Sequence, residues 1–206
     1  MKAVFSKSLL PLAFFSAVIV LAGCSSNVNS QKGPVDEPAQ GSPAAPANGA
    51  GENSPYPKLP SAVATAEIKG LDGSVFTLND KTGKILLVNL WATWCGPCRF
   101  EIPALVRMQE AHGAQGFEVL GLNTDDEDLQ LINDFSAELK INYPIAYADT
   151  KLQSSMLKVS KFPGIPQSFL IDRDGRLRAV FRGANPADIK KMEEFVAKIV
   201  TESPAQ

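Results

Sequence analysis

Two stretches of this chain are apolar at nearly every position. Ile85-Leu86-Leu87-Val88-Asn89-Leu90-Trp91 is one and Phe117-Glu118-Val119-Leu120-Gly121-Leu122-Asn123 the other. A strand covered on both faces needs apolar side chains on both, so Lys84–Trp91 and Phe117–Asn123 are predicted as central strands. Between them Pro97–His112 reads as a helix closed by Gly113, with Pro103 inside it expected to bend it. Asp126–Leu139 places Leu129, Ile132, Phe135 and Leu139 at helical spacing. Tyr143–Tyr147 predicts a short strand and Leu152–Val159 a further helix. Gln167–Asp172 and Arg176–Arg182 flank Arg173-Asp174-Gly175 and predict a hairpin. Pro186–Val200 is amphipathic, with Ile189, Met192, Phe195, Val196 and Ile199 on the face for burial. Upstream, Ala62–Lys69 and Val75–Leu78 read as another hairpin around Gly70–Ser74, and Asp80-Lys81-Thr82-Gly83 as a turn. Strands alternating with helices, then a hairpin and a helix, predict the α/β class: a mixed central sheet with helices on both sides. No internal repeat is present.

The first quarter of the chain follows different patterns. Lys2 and Lys7 precede Leu9–Ala22, a mostly apolar stretch too short to span a bilayer comfortably. Leu21-Ala22-Gly23-Cys24 resembles the bacterial lipoprotein signal, which implies cleavage before Cys24 and lipidation of that cysteine. From Ser25 to Pro57 the chain is mainly Ser, Asn, Gly, Ala and Pro, with almost no large apolar residue. Such a segment cannot bury a core and is expected to be a disordered tether spanning about 30 Å. The expected organisation is a signal segment at 1–23, a lipid-anchored linker at 24–57 and one folded domain at 58–206.

Composition narrows the chemistry. The formal charge is −2 over 206 residues, which gives no reason to expect a nucleic-acid partner. Cys24, Cys95 and Cys98 are too few for a disulfide framework or a four-cysteine zinc site. The single histidine, His112, lies roughly four helical turns past Cys98, so a mixed zinc site lacks ligands. A centre with two histidines is excluded, and no nucleophile motif accompanies a Ser-His-Asp triad. No metal or cofactor is expected.

What remains is Trp91-Ala92-Thr93-Trp94-Cys95-Gly96-Pro97-Cys98, placed where a central strand ends and a helix begins. That placement suits reversible dithiol/disulfide chemistry. Free backbone N–H groups and the positive end of the helix dipole favour a thiolate over a thiol. Cys95 is therefore the expected nucleophile, with a lowered pKa. Cys98, one turn further in, is placed to attack a mixed disulfide on Cys95. Gly96 permits the tight entry, and Pro97 suits the first helical turn.

Four pieces together resemble the TlpA/ResA-like thiol–disulfide oxidoreductases, on the thioredoxin fold, across about residues 60–200. They are Leu90–Pro103 around the cysteines, Phe117–Asn123 with its acidic turn, Ile141-Asn142-Tyr143-Pro144-Ile145, and Gly164–Gly175. The resemblance implies an N-terminal β-hairpin and a helical insertion of the TlpA type. It places Pro166 as a cis-proline beside the dithiol, where the preceding backbone pairs with a bound peptide. Glu101 matches the acidic residue near the active site, expected to transfer protons or tune a thiol. Trp94 is expected to pack beside the dithiol and shape the docking surface; Trp91 is expected in the core. Thioredoxins carry a buried Asp where this chain has Asn89, which cannot exchange a proton. Either Glu101 takes that part or proton transfer runs through water.

The implied function is an extracytoplasmic reductase of protein disulfides, for example in cytochrome c maturation. Its implied partners are substrate proteins with disulfides, a membrane electron-donor thiol–disulfide protein, and the membrane itself through Cys24; the expected state is a monomer facing the periplasm or extracytoplasmic space. The Gly96-Pro97 pair favours a reducing couple. A disulfide oxidase or isomerase is the same chemistry at another potential. A thiol peroxidase needs Thr-x-x-Cys, and Thr93 is only two residues before Cys95. A non-enzymatic assembly or chaperone-like lipoprotein is the alternative from another class.

Overall fold

The structure, a computed structural model, describes residues 54–202. The chain divides into two units, Met1–Pro46 and Ala47–Gln206. The expected signal segment, Cys24 and all but the last few residues of the expected linker lie outside the described residues.

The elements follow in the order α1 (Ser61–Ala64), β1 (Ile68–Gly70), β2 (Val75–Phe76), β3 (Ile85–Trp91), α2 (Gly96–His112), β4 (Phe117–Asn123), α3 (Leu129–Leu139), β5 (Ile145–Tyr147), α4 (Thr150–Ser160), β6 (Gln167–Ile171), β7 (Leu177–Arg182) and α5 (Pro186–Thr201). One seven-stranded sheet runs β2-β1-β5-β4-β3-β6-β7. β3, β4 and β5 are parallel; β6 runs antiparallel to β3, and β7 to β6. This is the expected α/β class with a mixed sheet.

β3 and β4 are buried at every residue, as their unbroken apolar character requires. Alternate side chains of β3 enter two separate cores. Ile85, Leu87 and Trp91 pack with α2, α3 and α5. Leu86, Val88 and Leu90 pack with α1 and α4. Asp128, Asp149 and Asn185 cap α3, α4 and α5, each accepting a hydrogen bond from a first-turn N–H.

Three expectations need correction. Ser61–Ala64 is a helical turn, so the first hairpin is only β1 and β2. The weak alternation there reflects burial of Val63 and Ala64 on one side of a single turn. α2 ends at His112 with Gly113 as its C-cap, as expected; Gly113 is right-handed helical, and the chain then tightens into a 3-10 turn before Gly116 reverses it at φ +82°. Gly116 takes that conformation without a Cβ penalty. Leu129 is 44% exposed because α3 starts only after Asp128, and its first residue reaches solvent. Phe195 is 41% exposed at the margin of the α5 face, with its ring edge-on to Phe181 at 5.9 Å. α2 itself continues through Pro103, which lies on its exposed stripe.

Candidate active site

Cys95 and Cys98 are joined in a disulfide at the carboxyl end of β3, where α2 begins. Cys95 is the N-cap residue of α2. Its backbone is extended, and its Sγ accepts the N–H of Cys98 at 3.2 Å. A sulfur takes the place of the usual capping oxygen, so a backbone donor and the helix dipole both act on it. Gly96 and Pro97 fill the first turn, where Pro removes an N–H that has no intrahelical partner. Both cysteines are buried, and Cys95 is the one that lines a surface groove.

The turn before Cys95 is braced by the acidic loop after β4. Glu127 accepts the N–H of Thr93 at 3.2 Å and the Thr93 hydroxyl, and it also takes Asn123 Nδ2 at 2.5 Å. Thr124 N–H donates to Trp91 O at 2.9 Å. Trp94 lines the same groove as Cys95 and is 68% exposed, with Nε1 donating to Asp125. Trp91 is buried and stacks on Phe135 at 4.9 Å.

The groove holds about 420 Å³. Trp94, Cys95, Gly96 and Pro97 form one wall, and Pro163, Gly164 and Ile165 form the other. The Ile165–Pro166 peptide is cis. Pro166 O accepts Gly183 N–H at 2.8 Å, whereas Ile165 N–H and C=O have no partner among the described residues. Gln167 Nε2 donates to Gly164 O at 2.9 Å and holds this wall in shape. A wider recess of about 680 Å³ adjoins at Thr124 and Gln153, and Glu67, Asp125, Asp126 and Asp149 lie on its walls.

Behind the dithiol lies Glu101, only 1% exposed. It stands three residues after Cys98, so the two side chains are neighbours on one face of α2. Burial pushes its carboxyl up to about 8, and the donated hydrogen bond from Asn89 Nδ2 pulls the other way. Asn89 Nδ2 also reaches Ser168 Oγ at 3.0 Å. Tyr143 is buried nearby; burial first and the Glu101 charge second hold its hydroxyl well above the ordinary tyrosine range. Among the described residues no group of His, Cys, Asp and Glu is placed to hold a metal ion.

The structure thus brings Cys95, Cys98, Glu101, Trp94 and the Ile165–Pro166 step to one end of the sheet, while Cys24 lies outside the described residues. No local motif in the sequence marks Glu127, Asp125, Ser168 or Tyr143 as part of the site. The acidic turn after β4 was visible as a turn, but its contacts with Thr93 and Trp94 cross more than thirty residues.

The Redoxin family model matches residues 52–196. ResA of Bacillus thuringiensis subsp. konkukian, a thiol–disulfide oxidoreductase, is 29% identical over 132 residues, covering 64% of this chain and 73% of ResA. ResA of Bacillus anthracis is 30% identical over the same length and coverage. Among solved structures, a thiol:disulfide interchange protein of the thioredoxin family from Chlorobium tepidum superposes with a TM-score of 0.59 at 28% identity, covering 72% of this chain and 99% of that one. A thiol:disulfide interchange protein from Bacteroides sp. gives 0.55 at 27%, covering 69% and 90%. The chain belongs to the Redoxin family and has the thioredoxin fold. It is a protein thiol–disulfide oxidoreductase of the TlpA/ResA type.

Proposed function

We propose that this Redoxin-family chain is a reductase of protein disulfides on the extracytoplasmic side of a bacterial membrane. In this reading a lipid on Cys24 anchors it, residues 24–57 are the tether, and apocytochrome c disulfides are one class of substrate. The observation that carries the reading is the Cys95–Cys98 pair at the start of α2, with Cys95 open to a groove and Glu101 buried behind it.

A substrate segment lies in the groove along Ile165, whose unpartnered N–H and C=O suit pairing with an extended backbone. Ile165 lines the groove, and exposed Trp94 supplies an apolar face to the segment. The Cys95 thiolate attacks one sulfur of the substrate disulfide; that bond breaks, and a substrate thiolate leaves. A mixed disulfide now joins Cys95 to the substrate. Glu101 accepts the Cys98 proton, and the Cys98 thiolate attacks Cys95 Sγ. The Cys95–Cys98 disulfide forms, and the second substrate sulfur leaves as a thiolate that takes its proton from water. Two electrons have passed to the substrate, and a membrane-held dithiol donor returns them. A carboxyl at about 8 is close to an ordinary thiol, near 8.5, so the proton moves between groups of similar acidity.

The reduction potential of the full chain, equilibrated against dithiol buffers, tests the direction. A value below about −230 mV supports the reductase, and a value of about −120 to −180 mV replaces it with an oxidase or isomerase. Cys98→Ser is expected to trap substrates on Cys95 as stable mixed disulfides, and normal turnover by that variant would overturn the assigned roles.

A further inference from the structure

Asn89 is the one carboxamide on β3, and it sits between two elements. Its Nδ2 donates to Glu101 Oε1 on α2 and to Ser168 Oγ on β6, while its Oδ1 has no partner among the described residues. The two ends of a carboxamide have nearly the same shape and differ in that one donates and the other accepts. A half-turn of the amide therefore brings Oδ1 to the same two neighbours. Ser168 suits either orientation, because a hydroxyl can accept or donate. Glu101 also suits either, in different states: its carboxylate takes a donor, and its carboxylic acid offers an O–H that needs an acceptor. In each orientation one end of the amide has two partners and the other end has none. The observed orientation is not locked in by a bond at the Oδ1 end.

We propose that Asn89 is a two-way positioning residue for Glu101, donating from Nδ2 to the carboxylate and, with its amide reversed, accepting the O–H of the acid at Oδ1 while Ser168 changes from acceptor to donor. The inference rests on the reading that Glu101 exchanges a proton with the dithiol. Its consequence is that the carboxyl group keeps one position through both halves of that exchange. The other groups around Glu101 do not compete for the task. Tyr143, from the loop before β5, and the cysteines of α2 are the titratable groups near it, while α3 and α5 supply only apolar side chains such as Ile132, Phe135 and Met192 to the core cluster that holds both cysteines. Burial places the Glu101 titration near about 8, within working range of the reaction.

The test is a side-chain NMR titration of the full chain in its disulfide form between about pH 5 and 10, following the Glu101 carboxyl carbon and the Asn89 amide. The expected result is a single curve shared by both, with the contact from the Asn89 Nδ2 hydrogens to Ser168 Cβ hydrogens present at high pH and lost at low pH. An Asn89 signal that stays constant while Glu101 titrates would overturn the inference, and this holds whether or not any variant folds. Asn89→Ala should move the Glu101 curve upward by about half to one pH unit, because the bond to the charged form is the stronger of the two lost; no movement would also count against it. The pH–rate profile of Glu101→Gln reports on the proton-transfer reading alone, so either idea can fail without the other.

Discussion

At the residue scale, Glu101 is the position where burial and chemistry meet. An ordinary carboxyl so deeply buried is costly to ionise, and one neutral donor, Asn89, only partly offsets that. The consequence for stability has a definite sign. Between pH 4.5 and about 8 the folded chain holds a proton on Glu101 that the unfolded chain has released. The unfolded state binds fewer protons over that window, so stability falls as pH rises through it, with the loss complete above about 8. The expected loss is on the order of 4 kcal/mol. Glu101→Gln carries no titrating proton and should lack this fall. Urea unfolding of the disulfide forms near pH 4.5 and pH 9 checks it: the variant should match the parent at the lower pH and exceed it at the higher. Parallel behaviour of the two proteins would mean that Glu101 is not held protonated. The resemblance marked Glu101 as the acidic residue near the dithiol, but its burial and its partner were not legible. Asn89 is twelve residues away on another element, and Ser168 is 79 residues from Asn89.

At the element scale, the β3–α2 junction and the strand beside it decide how tightly the site is held. Gly121 on β4 is paired with Asn89, and it lets Trp91 and Tyr143 close over the sheet. A Cβ at Gly121 would stand 3.0 Å from Trp91 Nε1 and 3.2 Å from Tyr143 Cε2. Gly121→Ala should therefore cost about 1–3 kcal/mol by overpacking. A Cβ at Gly96 meets nothing within 4 Å, and Gly96→Ala should change stability by less than about 0.5 kcal/mol. Unfolding midpoints of the two variants, measured side by side, check the contrast; equal losses would show that the approach of Trp91 and Tyr143 is not what requires a glycine. The existence of β3, α2 and β4 was legible from apolar runs and the Cys-Gly-Pro-Cys start. The end of α2 at Gly113 was legible too, whereas the 3-10 turn that follows it and the reversal at Gly116 were not.

At the scale of the whole molecule, the chemistry gathers at one end of the sheet and an N-terminal clamp at the other. β6 is antiparallel to β3, with Gln167 beside Leu90 near the dithiol and Ile171 beside Leu86 at the far end. At that far end, Tyr56 to Leu59 grip the β6–β7 hairpin. Leu177 N–H donates to Pro57 O at 2.9 Å, Leu59 N–H to Gly175 O at 3.1 Å, and the Arg178 guanidinium lies 4.1 Å over the Tyr56 ring. A chain starting at Pro60 should lose about 2–4 kcal/mol of stability while keeping its reduction potential. Urea unfolding and redox equilibration of that shortened chain check both halves, and a displaced potential would show that the two ends are coupled. The sequence alone determined the α/β class, most of the helices and strands, and the Cys95/Cys98 chemistry. Each of these depends on residues close together in the chain: apolar runs, helical spacing such as Ile132 and Phe135, and a dithiol at a helix start. Tertiary structure alone decided that Trp94 is held by Asp125, that Glu127 braces Thr93, and that Asn89 meets Glu101 and Ser168. β3 is apolar toward both cores, so its pattern does not say which neighbour each side chain meets. That choice is made by the pairing of strands and the docking of helices far apart in sequence.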